Sequence, residues 1–195
     1  MSARAYRHII AALEARDLNG RDYGARAKYQ CPSHDDRAPS LSITDKDDRA
    51  LIHCHAGCNT LDVLGVLGLD WPDLFDEPAT GKRWTSDTLR RAGATATDNG
   101  RVTLGTVAYL PGATNGGRKT LAAAGAKRDL WPDPADVPGD TLFLVEGEPD
   151  RVSAVQLGLP AVAVPGTGKW APEWAQRLAA GRQRVVVIAD SDEPG

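Results

Sequence analysis

Apolar positions at the start of the chain fall at helical spacing: Tyr6, Ile9, Ile10 and Leu13 share one face and predict a short amphipathic helix over 4–16. Between Tyr29 and Cys58 the period changes. The runs KYQC, SLSIT and ALIHC, separated by the polar, turn-forming DDRAP and DKDDR, predict a small antiparallel sheet. A second helix is expected through LDVLGVLGL, capped by Thr60 and stopped near Gly68 and by Trp71-Pro72. Residues 77–100 show no sustained apolar period and read as a linker, after which VTLGTVAYL is strand-like and PGATNGGRK a turn. From Asp140 the pattern alternates: TLFLVEGEPD, a helical DRVSAVQLG, PAVAVPGTG, a helical PEWAQRLAAG, then RQRVVVIADSD. Near-continuously apolar strands alternating with helices predict a parallel sheet with crossover connections. The fold class expected is α+β: a small antiparallel β module first, a partial α/β unit last.

The boundaries expected from these shifts are 1–76, a linker over 77–100, a basic stretch over 101–139 and the parallel-sheet unit over 140–195. A chain of 195 residues with 42% hydrophobic and 25% charged positions accommodates one medium domain or two small ones. No apolar run approaches the roughly 18 residues of a membrane span, and MSARAYRHII lacks the h-region of a secretory signal, so a soluble cytoplasmic protein is expected. The net charge of -3 hides an uneven distribution: residues 81–128 hold nine Lys/Arg against two acids, between acidic flanks. Such a segment suits a polyanionic partner or serves as a solvated linker.

Three Cys cannot all pair within one chain, and a cytoplasmic protein keeps them reduced. Cys31 and His34 stand three apart on one knuckle, Cys54 and Cys58 four apart on another. Two such pairs brought together by a sheet supply the four N/S ligands that Zn²⁺ requires, so Cys31, His34, Cys54 and Cys58 are the expected set. His53 and His55 flank Cys54 on a strand and should face the other way, as reserve ligands or phosphate contacts. The competing reading is of free buried Cys and surface His. A small sheet with few large apolar residues needs a staple, and this module is expected to unfold without metal.

CPSHDDRAPSLSI followed by ALIHCHAGC resembles the N-terminal zinc-binding domain of bacterial and phage DNA primases, the Cys-His-Cys-Cys type, over about 25–75. LGLDWPDLF resembles the end of that module in phage and plasmid versions. The second knuckle is CxxxC rather than CxxC, leaving the fourth ligand open among Cys58, His53 and His55. The resemblance implies that the module reads single-stranded template, which needs cationic and stacking groups on an exposed sheet face. Arg26, Lys28, Tyr29, Arg37 and Arg49 are available for that.

Glu146 ends one apolar strand, and Asp190 and Asp192 end another; in a parallel sheet these carboxylates converge on one edge. Close acids repel unless a cation compensates, and oxygen-only ligands favour Mg²⁺ or Mn²⁺. Gly147, Gly166, Thr167 and Gly168 at strand ends let a phosphate approach backbone. The ordered set LVEGEPD, AVPGTG, VIADSD resembles the Toprim domain of primases, topoisomerases and recombination nucleases, which implies a catalytic or metal-binding Glu146, metal-binding Asp190 and Asp192, and a supporting Asp150. Together the two modules look like a DNA primase, with Arg118, Lys119, Lys127 and Arg128 placed to grip template and nucleotide. Single-stranded DNA, ribonucleoside triphosphates, and a replicative helicase or a second chain completing the Toprim domain are the implied partners. The apolar edge VVVIAD would otherwise be exposed, so a second polypeptide, an oligomer or an inactive truncated product is expected. The alternatives are a non-catalytic zinc module that recruits a separate enzyme and a Toprim nuclease.

Overall fold

The computed structural model describes residues 4–46, 48–76, 84–97, 100–110, 120–122, 125–166 and 170–189. Helix α1, Arg4–Glu14, buries Tyr6, Ile9, Ile10 and Leu13, the face its spacing predicts. Its first turn is tied down from far along the chain: the Ala5 N–H donates to Asp76 Oδ1 at 2.8 Å. An N–H in a first helical turn has no partner within its own helix, so Asp76 acts as a remote cap. Asp76→Ala should cost about 1 kcal/mol of stability, the usual value of a helix cap, read as a lower melting temperature.

Four antiparallel strands follow in sequence order, β1 Gly20–Asp22, β2 Arg26–Tyr29, β3 Leu41–Lys46 and β4 Arg49–Cys54. Their alternation sends Ala27, Tyr29, Leu41, Ile43, Ala50, Ile52 and Cys54 inward, onto α1 and α2 (Thr60–Leu67). The cap of α2 is Asn59, whose side chain accepts the Leu61 N–H at 2.9 Å. Thr60, expected in that role, instead turns its hydroxyl to the Ile52 carbonyl at 3.2 Å and ties α2 to β4. The helix stops at Gly68, at φ 72°, as its position predicts.

Two tyrosines close the space between α1 and the sheet. Tyr6 donates to Asp22 Oδ1 at 2.6 Å and Tyr29 to Glu14 Oε1 at 3.0 Å. Burial first, then these acceptors, hold both phenols above their ordinary value near 10, Tyr29 at about 12 and Tyr6 higher. Because the folded form keeps the proton, their contribution to stability is complete below about pH 10 and is lost as pH rises through the folded values. Alkaline unfolding followed by circular dichroism should begin above pH 10, with the 295 nm tyrosinate signals of Tyr6 and Tyr29 rising together with loss of structure. Ionisation of both near pH 10 with the fold intact would contradict this.

The stretch expected as a linker is packed where it is described. Trp84 and Leu89 are buried, α3 runs over Ser86–Arg91, and Trp84 Nε1 donates to Ser153 Oγ at 3.1 Å. Only one large apolar side chain falls within α3, too few to show a period. VTLGTVAYL forms two strands rather than one: β6 Val102–Leu104 and β7 Val107–Tyr109 turn at Gly105-Thr106, flanked by β5 Thr95–Ala96 and β8 Thr120–Ala122 in an antiparallel sheet. The turn expected at PGATNGGRK lies outside the described residues.

The last unit is a parallel sheet in the order β10-β9-β11, with β9 Thr141–Val145, β10 Ala161–Ala163 and β11 Arg184–Ile188 joined through α4 (Glu148–Gln156) and α5 (Pro172–Ala179). Residues before the expected boundary at 140 belong to it: Leu130 and Val137 pack with Leu142, Leu144, Trp174 and Leu178, and Trp131 bridges Ala163. β11 is an edge strand with Val187 67% exposed. The main core runs without a break from α1 to Val152 of α4. Among the described residues no helix is long and apolar enough to cross a membrane.

Candidate metal centre and nucleic-acid interface

The two expected knuckles meet at one end of the first sheet. Cys31 follows β2, His34 sits in the turn beyond it, Cys54 closes β4 and Cys58 precedes α2. One ligand atom from each lies within 4.8 Å of the other three. His34 Nδ1 stands 3.2 Å from Cys58 Sγ and 3.9 Å from Cys54 Sγ, bracketing the tetrahedral edge of about 3.5 Å that Zn–S and Zn–N bonds of about 2.3 and 2.0 Å imply. Burial pushes the Cys31 thiol up to about 12. Burial also opposes ionisation of Cys54, but the N–H groups of Cys58 and Ala56 outweigh it and bring Cys54 down to about 7. Cys58 is raised by burial and by Cys54. Three thiols this close cannot all ionise without a cation among them, and a bound metal supplies that charge. The donor set therefore fits a structural metal.

The sheet keeps the other histidines out of this cluster. His55 Nε2 pairs with Ser42 Oγ at 2.8 Å, and His53 meets His55 edge to face at 4.7 Å, on the side opposite Cys54. Gly57 makes the CxxxC spacing workable: its N–H returns to the Cys54 carbonyl at 3.0 Å with φ at 90°, which a side chain would strain. Asp36 is a residue the pattern did not single out. Its carboxylate accepts from the Cys31 N–H at 2.8 Å and from the Ser40 N–H and hydroxyl at 3.1 and 2.6 Å. The Ser40 hydroxyl and the Cys31 N–H hold it down to about 2, and it faces His34 Nε2 at 3.8 Å, the side turned away from the thiols. A carboxylate behind a ligating imidazole orients the ring.

The open face of the same sheet is basic. Arg21 pairs with Lys28, Lys28 with Ser42 and Ser42 with His53, so one row crosses all four strands, and Arg26 lies on the same face beside Thr44. Arg21 Cζ lies 5.6 Å from the ring centre of Tyr23, which is 67% exposed. Arg21 and Tyr23 were absent from the expected set, although the alternation of a basic and an aromatic residue between Gly20 and Gly24 was legible. Arg37 is exposed in the knuckle loop. Two candidates drop out. Tyr29 has the opposite parity and is buried against Glu14, while Arg49 pairs with Asp48 at 2.8 Å and lies on Phe75.

At the far end of the chain, Glu146 follows Val145, and Val145 is in register with Ala163 and Ile188, so it lies at the carboxyl edge of the parallel sheet. Asp150 is in the first turn of α4 behind Gly147. Arg128 approaches Gly166 at the end of β10, and Lys127 is exposed beside it. Glu148, read from sequence only as a helix-start acid, is 5% exposed; burial raises it, while its own N–H and Arg128 oppose that. Asp190, Asp192, Arg118, Lys119, Thr167 and Gly168 lie outside the described residues.

No family model matches the chain. A 54-residue segment is 42% identical to the Gene 57 protein of Mycobacterium phage D29, covering 28% of this chain and 35% of that protein. The match thus spans about a third of that relative's length.

Proposed function

We propose that this chain is a primase-type protein that holds single-stranded DNA on the open face of its zinc-stapled sheet and makes short RNA primers at the carboxyl edge of its parallel sheet. One observation carries the reading. The Cys31, His34, Cys54 and Cys58 cluster fixes the end of a small sheet whose opposite, solvent-facing side presents Arg21, Arg26 and Lys28 with an exposed Tyr23. Cations that track phosphates beside an aromatic surface are what sequence-tolerant single-strand binding requires. Zinc is favoured for the cluster because three thiols and an imidazole in a near-tetrahedral set match it better than oxygen-seeking Mg²⁺.

In the synthetic step the primer 3′-hydroxyl would give up its proton to water at the site, its oxygen would bond to the α-phosphorus of the incoming ribonucleotide, and pyrophosphate would leave. Glu146, Asp190 and Asp192 would hold Mg²⁺ or Mn²⁺, which when bound supplies charge neutralisation for the triphosphate. Asp150 supports that edge, and Arg128 and Lys127 offer cations to the nucleotide phosphates. The similarity to a phage protein agrees with a phage setting.

The test is primer synthesis by the purified, zinc-loaded chain on mixed single-stranded templates, with labelled ribonucleotides and Mg²⁺ or Mn²⁺. Short RNA products that vanish in an Asp190→Ala, Asp192→Ala double variant, with single-strand binding kept, are expected. Binding without synthesis would replace the enzyme with a template-binding module. Nicking of the template instead would indicate a nuclease.

A further inference from the structure

A cavity of about 660 Å³ opens where α3, the 131–138 segment, α4 and the turn into β10 meet. Ala161, the first residue of β10, lines it, whereas Glu146 follows the last residue of β9, so the cavity lies at the opposite edge of the parallel sheet from the carboxylates. Its size is that of a small-molecule site. Pro132, Val137, Pro138 and Leu159 give it apolar walls.

Two arginines, Arg151 and Arg91, line the same space. Arg151 is 7% exposed and rests on the Trp131 ring, 4.3 Å from its centre. Its Nε donates to the Ala161 carbonyl at 3.0 Å and its Nη1 to the Ala92 carbonyl at 2.7 Å. Its Nη2 donates to nothing, and no carboxylate pairs with it, among the described residues. Burial lowers its affinity for the proton to about 10, the mark of a desolvated cation. Arg91 is anchored similarly, Nε on Asp87 at 2.8 Å and Nη1 on the Val155 carbonyl at 3.2 Å, with Nη2 uncommitted among the described residues. Asp136 is the acid in the lining, and it is exposed. Buried cations in proteins are ordinarily paired, and among the described residues this one meets carbonyls and a ring face.

We propose that the cavity binds a small organic anion, its phosphate or carboxylate head on Arg151 and Arg91 and its apolar body against the proline-rich wall. The two carbonyls and the indole hold the Arg151 guanidinium in place, so its uncommitted Nη2 is preorganised to donate to an oxyanion.

The proposal is tested by titrating adenosine 5′-monophosphate, indole-3-acetate and uncharged adenosine into the full zinc-loaded chain without added magnesium. Binding is followed by calorimetry and by the arginine Nε–H signals in NMR spectra. Saturable binding of the phosphate or of the carboxylate, and none of adenosine, is expected, and whichever anion wins names the head group. Arg151→Met should weaken binding about tenfold or more. Leu159→Trp, which narrows the cavity and leaves both arginines, should also weaken binding, and it serves if Arg151→Met fails to fold. No saturation by either anion, equal binding of adenosine, or binding unchanged in Leu159→Trp would overturn the proposal.

Discussion

Cys31→Ala is expected to unfold the first part of the chain, and a strong chelator added to the parent protein should do the same. The cluster gathers four ligand atoms within 4.8 Å at the junction of β2, β4 and the start of α2. Structural zinc in such sites contributes about 10–16 kcal/mol of apparent binding free energy. Whole domains are stable by only about 5–15 kcal/mol, so losing a contribution of that size is enough to unfold the module. Far-UV circular dichroism, melting and metal content on one sample check this. Melting that is identical with and without Cys31, and with and without chelator, would remove the metal from the account. His53→Ala and His55→Ala should each keep full metal content, because both rings lie on the face away from Cys54.

Arg21→Glu combined with Lys28→Glu should weaken single-stranded DNA binding about tenfold or more at low salt while leaving the melting temperature nearly unchanged. The two side chains are direct cross-strand neighbours on exposed positions, so no buried packing is lost when they change, only the exposed contact of Arg21 with the Tyr23 ring. Each phosphate contact on a single strand contributes about -0.7 to the slope of log affinity against log salt, so losing two should flatten that slope by about 1.4. Filter binding or fluorescence anisotropy across a salt series reads both quantities. Affinity and slope equal to the parent's would place the nucleic acid elsewhere.

Much of this architecture is legible before folding because burial imposes a period. Tyr6, Ile9, Ile10 and Leu13 announce α1, and the apolar runs at 141–145, 161–163 and 184–188 announce a parallel sheet. The metal cluster is legible because every Cys of the chain falls in it at ligand spacing. What escapes has little local signal. β1 is three exposed residues that become a strand only by pairing with β2, and Gly20 leaves the space that the Tyr29 ring fills. The parity that sends Tyr29 inward and Lys28 outward follows from that register. Asp36 looks like any loop acid until the fold turns the Cys31 N–H and the Ser40 hydroxyl toward it.

The bond from Ala5 to Asp76 has a consequence for the order in which the molecule is made. An eleven-residue helix is marginal by itself in water, so α1 gains permanence only when its cap and the surfaces of β3, β4 and the Trp71–Leu74 turn are present. At about 5–20 residues per second, the ribosome needs on the order of 3–12 s to pass from Glu14 to Asp76. Throughout that interval Ile9, Ile10 and Leu13 lack their final cover. The nascent chain therefore presents the apolar stripe of α1 to chaperones before it can bury it, and α1 is among the last parts of this module to settle.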